Sequence, residues 1–302
     1  MATLCAAIIA RDEEKTIGRC LESLAWADSL LVVVDDRTVD ATAEVAARHG
    51  ARVVLRPFVD YPRQRNAALE LADSDWVLFV DADEVATPEL AEEVRRLVEG
   101  AEPTLAGYWI PRKNILFGRW VRYAGWSPDY QLRLLRRGFA RYREDRIVHE
   151  LADLQGEAGH LRSHLVHHNY ATLREFVDRQ RDYASMEALN MLRRGLRPRP
   201  QNYLLQPWRQ FWRRYVRLQG YREGWLGLLL SLLLAYFELA TYLKLRSLHR
   251  APREDRAGSA PTERGGVVAT EPPPSRQRPA DRQAAGEATT INSNRESGRS
   301  IP

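Results

Sequence analysis

The chain has 302 residues, of which 44% are hydrophobic and 28% are charged, a composition that can bury the core of one large or two small globular domains. Its two cysteines, Cys5 and Cys20, are too few for a disulfide scaffold, and the sequence contains no CxxC pair or Cys/His cluster typical of a structural zinc site. The N-terminal segment reaches the charged residue Arg11 too early for a secretory signal peptide, so we expect the protein on the cytosolic side.

The net charge of +5 is distributed unevenly along the chain. Residues 1–192 contain 25 basic and 31 acidic residues, whereas residues 193–222 contain nine arginines and no acidic residue. A short basic block of this kind is typical of a segment that contacts phosphate groups, either of lipids or of nucleic acid.

The first hundred residues alternate short apolar runs with helical patterns, which predicts a parallel sheet covered by helices on both faces. The predicted strands are Leu4–Ala10, Leu30–Val34, Arg52–Leu55 and Trp76–Val80, and the predicted helices are Glu14–Trp26, Asp40–His49, Tyr61–Ala72 and Pro88–Leu97. Ligands of such sheets bind beyond the carboxyl ends of the strands. The sequence places Asp35 and Asp36 after the second strand, and Asp81 and Asp83 after the fourth.

After Gly107 the pattern changes to a mixed α+β region followed by helices. Extended segments are predicted at Tyr108–Ile110, Trp120–Tyr123, Gln131–Leu135 and His160–His168, and helices at 172–194, 203–222 and 224–247. The chain beyond Ala251 has few large apolar residues and is predicted to be a disordered tail. We therefore divide the sequence into two halves of one α/β domain (1–105 and 106–171), a helical region (172–250) and the tail (251–302).

Asp81 and Asp83 stand one residue apart at the end of a buried apolar strand. Two carboxylates are costly to leave there without compensation, and a divalent cation bound to a diphosphate would supply it. Taken alone, the pair is more often two surface acids at a strand end. The polar clusters on the neighbouring strand ends favour the ligand-binding interpretation.

Together these clusters resemble the nucleotide-sugar-binding half of family 2 inverting glycosyltransferases, and within them a subgroup similar to lipopolysaccharide-core glucosyltransferases. In the loop after the second strand, Arg37 stands where the family usually has glycine. The residues that carry the resemblance are Asp12-Glu13, Asp35-Asp36-Arg37-Thr38-Val39-Asp40-Ala41-Thr42, Arg65-Asn66-Ala67-Ala68, Asp81-Ala82-Asp83, Pro111-Arg112-Lys113-Asn114, the segment from Gly125 to Leu134, and Val148-His149-Glu150.

The resemblance implies an A-type glycosyltransferase fold, which is a Rossmann-like, mostly parallel sheet with helices on both faces, and a hexosyltransferase activity that uses a nucleotide-sugar donor. It implies that Asp35 accepts a hydrogen bond from the base and that Glu13 helps to hold the nucleoside. It places Arg65 near the diphosphate, Asp81 near the ribose or the metal, and Asp83 on the metal, Mg²⁺ or Mn²⁺. A metal and an arginine would stabilise the charge of the departing diphosphate.

An inverting transfer also needs a base for the acceptor hydroxyl. The candidate is Asp129, which follows Pro128, and the alternative interpretation is that Asp129 only pairs with Arg133 or Arg136. Glu150 is the second candidate base. His149 is a further candidate metal ligand, although a lone histidine is more often structural. The three histidines of the predicted strand, His164, His167 and His168, are interpreted as structural.

The helical region is predicted to associate with a membrane. Arginines surround an aromatic series in residues 207–222, which is typical of an interfacial helix. The next helix has Glu238 as the one charged residue between Trp225 and Leu243. Its length leaves a single span over 225–245 open, but basic residues at both ends favour a helix lying in the cytoplasmic leaflet. We therefore expect a peripheral or monotopic protein on the cytoplasmic face of the inner or plasma membrane. The aromatic residues of the series are Trp208, Phe211, Trp212 and Tyr215, and Leu218 continues their spacing.

The expected partners are a nucleotide-sugar donor, a lipid-linked or cell-envelope glycan acceptor and an anionic membrane surface. Two alternative functions stay open. The first is a nucleic-acid-binding protein that uses the basic aromatic block, although the acidic charge of residues 1–192 would repel a phosphate backbone. The second is a catalytically inactive membrane-bound scaffold that binds a nucleotide sugar.

Overall fold

The computed structural model describes residues 1–100, 104–144 and 152–250, and the predicted parallel sheet is present at its N-terminal end. The strands β1, β2, β3 and β4 lie in the order β3-β2-β1-β4, and every neighbouring pair is parallel. His149, Glu150 and the tail 251–302 lie outside the described residues. The elements of this part are β1 (Leu4–Ala10), α1 (Ile17–Ser23), β2 (Ser29–Asp35), α2 (Thr42–Arg48), β3 (Arg52–Arg56), α3 (Tyr61–Leu71) and β4 (Trp76–Phe79).

The second part of the chain extends the same sheet in the order β4-β8-β6-β12-β5. β8 is antiparallel to both β4 and β6, whereas β12 is parallel to β6. The sheet therefore joins strands of both predicted halves. Its further elements are β5 (Glu84–Ala86), α4 (Pro88–Glu99), β6 (Leu105–Leu116), β7 (Arg119–Trp120), β8 (Tyr130–Arg136), β9 (Ala140–Tyr142), β10 (Ala152–Leu154), β11 (Glu157–His160) and β12 (Leu165–Tyr170).

Side chains of β1 pack alternately on the two faces of the sheet, as the period of a strand requires. Ala6 and Ile8 belong to a core that contains α1 and α4, whereas Cys5 and Ala7 face Leu69 of α3. The prediction of a mostly parallel sheet with helices on both faces is therefore confirmed.

Side-chain caps define the start of the longer helices. Asp60 accepts a hydrogen bond from the backbone N–H of Arg63 at 2.8 Å at the start of α3. Thr87 caps α4 in the same way, with a proline as the next residue. These are the donors that a helix N-terminus leaves unsatisfied, so the caps fix where the chain leaves the sheet edge and turns back.

The C-terminal region consists of three helices. They are α5 (Leu173–Arg193), α6 (Asn202–Phe211) and α7 (Trp225–Arg250), with a π-helical turn (Trp212–Arg217) and a 3₁₀ turn (Gly220–Glu223) between the last two. Within the described part of the chain, α7 is the one helix long and apolar enough to cross a membrane by length and composition.

The helix predicted over 203–222 is interrupted, because its second half packs closely on the sheet domain. Arg214 is buried and donates a hydrogen bond to the carbonyl oxygen of Ala124 at 3.0 Å. A Cβ at Gly220 would lie 2.7 Å from the carbonyl oxygen of Arg214, so only glycine fits there. Gln219 takes a φ of 54° before it, and the chain turns into α7.

Two other predicted elements are shorter than expected. The helix predicted at Glu14–Trp26 is confined to α1, and the strand predicted at Trp120–Tyr123 ends at Trp120. After Trp120 the backbone N–H groups of Arg122 and Tyr123 donate to the carboxylate of Glu223 at 2.7 and 3.0 Å. These two backbone N–H groups therefore donate to a side chain of the C-terminal region and not to a neighbouring strand.

Candidate active site

The carboxyl ends of β1, β2 and β4 bring the predicted donor-binding acids to one edge of the sheet. β1 is followed by Asp12 and Glu13, β2 ends at Asp35, and β4 leads into Asp81 and Asp83. These strands are adjacent and parallel, so their ends meet at one crevice, as expected for a sheet of this type.

Asp35 is a buried carboxylate, 1% exposed, held by two arginines. Its Oδ1 accepts hydrogen bonds from the backbone N–H and the Nε of Arg37 at 3.1 and 3.2 Å, and its Oδ2 lies 3.3 Å from Nη1 of Arg11. Burial raises the pKa of Asp35, but the hydrogen bonds and charge of Arg37, together with Arg11, outweigh it and lower the pKa. Arg37, which stands in place of the family's glycine, thus binds the carboxylate predicted to contact the base.

Glu13 lies between the first strand end and the acids after β4. Its Oε2 accepts a hydrogen bond from the hydroxyl of Thr16 at 2.6 Å. Burial, reinforced by the negative charges of Asp83 and Asp81, raises the pKa of Glu13 to about 7, although Thr16 and the positive charge of Arg179 oppose the shift. Arg179 belongs to α5, so the C-terminal region contributes the positive charge of a guanidinium group near Glu13.

Asp81 is held by two guanidinium groups. Its Oδ1 accepts from Nη1 of Arg133 at 3.0 Å and lies 3.4 Å from Nη2 of Arg65. Arg133 also bonds its Oδ2. Burial raises the pKa of Asp81, but the charges of Arg133 and Arg65 lower it well below its usual range, so the side chain is ionised at neutral pH.

Asp83 contacts a histidine that comes from the far end of the sheet. Its Oδ2 lies 3.2 Å from Nε2 of His167, and the side chains of both residues are nearly buried. The backbone carbonyl of Asp83 also accepts from the N–H of His168 at 3.1 Å. β5, which directly follows Asp83, pairs with β12, and this pairing places His167 against Asp83.

Glu84 joins the acids to the arginines of β6 and β8. It is fully buried, and its Oε1 lies 3.4 Å from Nη1 of Arg112 and 3.8 Å from Nη2 of Arg133. Its Oε2 accepts from the backbone N–H of Asp81 at 3.0 Å. Arg112 and Arg133 are therefore each shared by two carboxylates, since Arg112 also bonds Asp129 and Arg133 also bonds Asp81.

Asp129, the candidate base, is 3% exposed. Its Oδ2 accepts from Nε of Arg112 at 2.9 Å and from Nδ2 of Asn114 at 3.0 Å, and its Oδ1 accepts from Gln131 at 2.8 Å. Burial raises the pKa of Asp129, but the charge of Arg112 and the three hydrogen-bond donors lower it. Asp129 therefore does pair with an arginine, but this arginine is Arg112 and not one of the expected partners Arg133 and Arg136, and Arg133 bonds Asp81 instead.

The structure thus brings together Glu13, Asp81, Asp83 and Arg65 at the crevice, and it links Asp129 to them through buried side chains. Across residues 1–100, 104–144 and 152–250, no group of three or more His, Cys, Asp or Glu side chains lies close enough to hold a metal ion by itself. Asp83 and His167 form a pair, with Oδ2 and Nε2 3.2 Å apart. A cation at the site would therefore take further ligands from its substrate.

Sequence reasoning missed several residues of this network. The signal for three of them was present, since Arg112, Asn114 and Arg133 all fall within the motifs of the resemblance. His167 could not be selected from its neighbours by sequence, because the contact with Asp83 depends on the pairing of β5 with β12. His167 thus lies against Asp83, and its interpretation as a structural residue stays a prediction.

Comparison with known proteins identifies the family to which the chain is similar. A family model described as "Glycosyl transferase family 2" matches residues 5–154. The lipopolysaccharide core biosynthesis glycosyltransferase LpsC of Rhizobium meliloti is 29% identical over 257 residues, which cover 82% of this chain and 93% of that protein. An uncharacterized glycosyltransferase of Rickettsia typhi is 23% identical over 252 residues, covering 80% of this chain and 86% of that protein.

Solved structures are similar at lower levels. TarS of S. aureus in complex with UDP aligns with a TM-score of 0.42 and 16% identity, covering 82% of this chain and 91% of that chain. Glucosyl-3-phosphoglycerate synthase from Mycobacterium tuberculosis, in complex with Mg²⁺ and UDP, aligns with a TM-score of 0.31 and 22% identity, covering 37% of this chain and 44% of that chain.

The raised pKa of Glu13 predicts a pH-dependent cost to stability. In the unfolded chain this carboxyl ionises near its ordinary value of 4.5, whereas in the folded protein it keeps its proton until about pH 7. The stability it contributes is therefore complete below the lower value and is lost as pH rises through the interval. We expect Glu13→Gln to raise Tm relative to wild type more at about pH 8 than at about pH 5. The exposed Glu70→Gln is the matched control, and an equal shift at both pH values for Glu13→Gln would contradict the expectation.

Proposed function

Because the chain is a glycosyltransferase that belongs to family 2, we propose that it moves a sugar from a nucleoside-diphosphate donor to a hydroxyl of a lipid-linked or cell-envelope glycan, with inversion of the anomeric centre. The observation that supports the donor most directly is the convergence of Glu13, Asp35, Asp81 and Asp83 at one sheet edge. The similarity to LpsC, whose name refers to the lipopolysaccharide core, supports an envelope glycan as the acceptor.

We assign donor binding to residues 1–105 and the acceptor side to residues 106–171. In the donor half, Asp35 accepts a hydrogen bond from the base, and Arg37 adjusts to make room for it. Glu13 holds the nucleoside. Arg65 approaches the diphosphate; its guanidinium lies 5.3 Å from the ring centroid of Phe79 and 3.4 Å from Asp81, so it is held in place before the donor arrives.

The proposed cofactor is Mg²⁺ or Mn²⁺, and the acids after β4 fit such an ion. Asp83 would hold it, with Nε2 of His167 at the same point and Asp81 as the adjoining carboxylate. Two or three protein ligands suit a cation that takes its remaining ligands from diphosphate and water. When bound, the ion would neutralise charge on the leaving diphosphate. His149 lies outside the described residues and stays a candidate ligand.

Asp129 is the proposed base on the acceptor side. Its carboxylate is ionised at neutral pH, because Arg112 and three hydrogen-bond donors lower its pKa, and an ionised carboxylate is the form that accepts a proton. The cis peptide bond between Ser127 and Pro128 directly precedes it. Glu150, outside the described residues, is the alternative base.

The packing of α7 supports a monotopic attachment to the cytoplasmic face of the membrane. Leu226 and Leu230 near its start share a core with Trp126 and Phe176 of the sheet domain and α5. Near its end, Nζ of Lys244 donates to the carbonyl oxygen of Arg181 at 3.0 Å. The sheet domain and the polar helix α5 therefore flank α7 along its length, and a span over 225–245 would carry them into the bilayer.

The faces of α6 and α7 that point away from this core are apolar. None of the residues of α6 is buried, and Leu204 and Trp208 are 79% and 58% exposed. An exposed apolar surface of this extent marks an interaction site, and aromatic side chains favour a membrane interface. The exposed apolar residues of this surface are Leu204, Leu205, Trp208, Trp212, Tyr221, Trp225, Leu228, Leu232, Tyr236 and Leu243.

Basic side chains border this surface at the start of α7. Lys113 and Arg122 lie 4.7 and 4.0 Å from the ring centroid of Trp120, and Arg222 lies 4.4 Å from that of Tyr123. Each basic residue close to an anionic surface contributes about 1 kcal/mol to binding. Arg214 of the arginine block 193–222 is buried and does not belong to this basic surface. Lys113 and Arg122 of the sheet domain add to the basic residues there.

The metal assignment predicts the behaviour of Asp83→Ala. Removal of a charged ligand should abolish the Mn²⁺-dependent part of nucleoside-diphosphate binding, as measured by calorimetry with and without Mn²⁺. Asp73→Ala is the matched control, because the side chain of Asp73 is 98% exposed. Metal-dependent affinity that is unchanged in Asp83→Ala would overturn the assignment.

The membrane assignment predicts flotation with vesicles. The intact protein should float with phosphatidylcholine vesicles that contain phosphatidylglycerol more strongly than with phosphatidylcholine alone. Salt should weaken the difference and leave a salt-resistant part. Joint replacement of Leu204 and Trp208 by serine should reduce the salt-resistant part, because burial of apolar surface produces it.

The control for that variant is joint replacement of Val39 and Leu55 by serine, since these residues are also exposed, at 89% and 64%, but belong to the donor half. Equal binding to neutral and anionic vesicles would overturn the electrostatic part. Absence of flotation at every salt concentration would overturn the membrane assignment. Preference for nucleic acid over anionic vesicles at matched salt would support the nucleic-acid alternative.

A further inference from the structure

Asn114 of β6 is the side chain that connects the donor side of the crevice with the acceptor side. It is 2% exposed. Its Nδ2 donates to the carbonyl oxygen of Trp126 at 2.9 Å and to Oδ2 of Asp129 at 3.0 Å. Its Oδ1 lies 2.9 Å from Nδ1 of His167. The side chain of Asn114 thus bonds two residues that precede β8 and one residue of β12.

The chemistry of its partners fixes the orientation of the amide. A carbonyl oxygen and a carboxylate oxygen only accept, so the nitrogen of Asn114 must face Trp126 and Asp129. The amide oxygen then faces His167 and can only accept, which requires that Nδ1 of His167 carries a proton. The other ring nitrogen, Nε2, lies 3.2 Å from Oδ2 of Asp83.

The same amide also constrains Asp129. One lone pair of Oδ2 is occupied by Asn114, while Arg112 bonds the same oxygen and Gln131 bonds Oδ1 at 2.8 Å. The plane of the carboxylate is thereby fixed relative to β6. Because His167 is fixed by the same side chain, the orientations of Asp129 and of the ring facing Asp83 depend on one residue.

We propose that Asn114 is a positioning residue that holds the acceptor-side carboxylate and the donor-side histidine in a fixed relation. This inference rests on the proposed function, in which Asp129 is the base and Asp83 binds the cation. Its oxygen sets the ring of His167 toward the cation, and its nitrogen sets the carboxylate of Asp129 toward the acceptor hydroxyl. Hydrogen-bond partners of metal-site residues have this kind of effect on affinity and activity.

The two functions of the amide are separable by substitution. Asn114→Ala removes all three side-chain hydrogen bonds, to Trp126, Asp129 and His167. We expect Mn²⁺ affinity to fall about 10–100-fold, the usual effect of losing such a partner, together with a loss of transfer. Asn114→Asp keeps an oxygen acceptor for His167 but replaces the donor to Asp129 by an acceptor. Mn²⁺ affinity should then stay within a few-fold of wild type, while kcat for transfer falls and KM for the donor is preserved.

The measurement is Mn²⁺ binding followed by electron paramagnetic resonance, alone and with UDP or GDP, beside transfer kinetics and Tm for each variant. Asn66→Ala is the matched control for stability, because Asn66 is equally buried and its Nδ2 and Oδ1 bond the backbone of Tyr142 at 2.9 and 2.8 Å. A merely structural role for Asn114 would lower Tm in Asn114→Ala as in Asn66→Ala and leave Mn²⁺ affinity unchanged. That result would overturn the inference.

Asp83→Ala, measured in the same way, separates the inference from its premise. If Asp83→Ala loses Mn²⁺ binding and Asn114→Ala keeps it, the cation site stands and the role of Asn114 is refuted. If Asp83→Ala keeps Mn²⁺ binding, the premise itself is refuted. Parallel losses of Mn²⁺ affinity and of transfer in Asn114→Asp and Asn114→Ala would show that the amide does not act separately on Asp129, which would also overturn the inference as stated.

Discussion

A carboxylate buried at a sheet edge is stable only where cations or hydrogen-bond donors replace the water that it loses, and this constraint organises the site. Asp81 and Glu84 meet it through Arg133 and Arg112, and Asp129 shares Arg112. Removing one partner of such a buried pair commonly costs about 3–5 kcal/mol, because the other charge is left without compensation. Substitution of Arg112 or Arg133 is therefore expected to lower the stability of the fold.

The same arginine–carboxylate pairs connect the two parts of the sheet, residues 1–105 and 106–171. The acids that follow β4 lie within residues 1–105. They are held by Arg65 of α3 and also by Arg112 of β6 and Arg133 of β8, which lie within residues 106–171. The antiparallel strand β8 lies between β4 and β6 and carries Arg133 toward Asp81. The halves cannot move far apart without separating these charges, so the crevice is shaped before a donor binds.

The parallel part of the fold could be predicted from sequence because its signals are local. Apolar runs mark β1 to β4, and the rule for the carboxyl ends of parallel strands places Asp35 and Asp81 at one edge. The contact of His167 with Asp83 joins residues 84 positions apart, and no local pattern specifies that β12 pairs with both β5 and β6. The interruption of the basic helix was also missed, because it depends on the close packing of Gly220 against Arg214.

In the proposed function, the enzyme transfers a sugar, and the carboxylate of Asp129 accepts the proton of the acceptor hydroxyl. The most direct measurement is release of nucleoside diphosphate from a panel of nucleotide sugars, with Mg²⁺ or Mn²⁺, by wild type and by Asp129→Asn. Water can serve as a slow acceptor, so one donor should be hydrolysed by wild type. Asp129→Asn should bind that donor with similar affinity and release product about 10²–10⁴-fold more slowly, the usual worth of a general base. Release at the wild-type rate by Asp129→Asn would contradict the assignment of Asp129 as the base and favour Glu150. Failure of every donor to bind or react would contradict the proposed function.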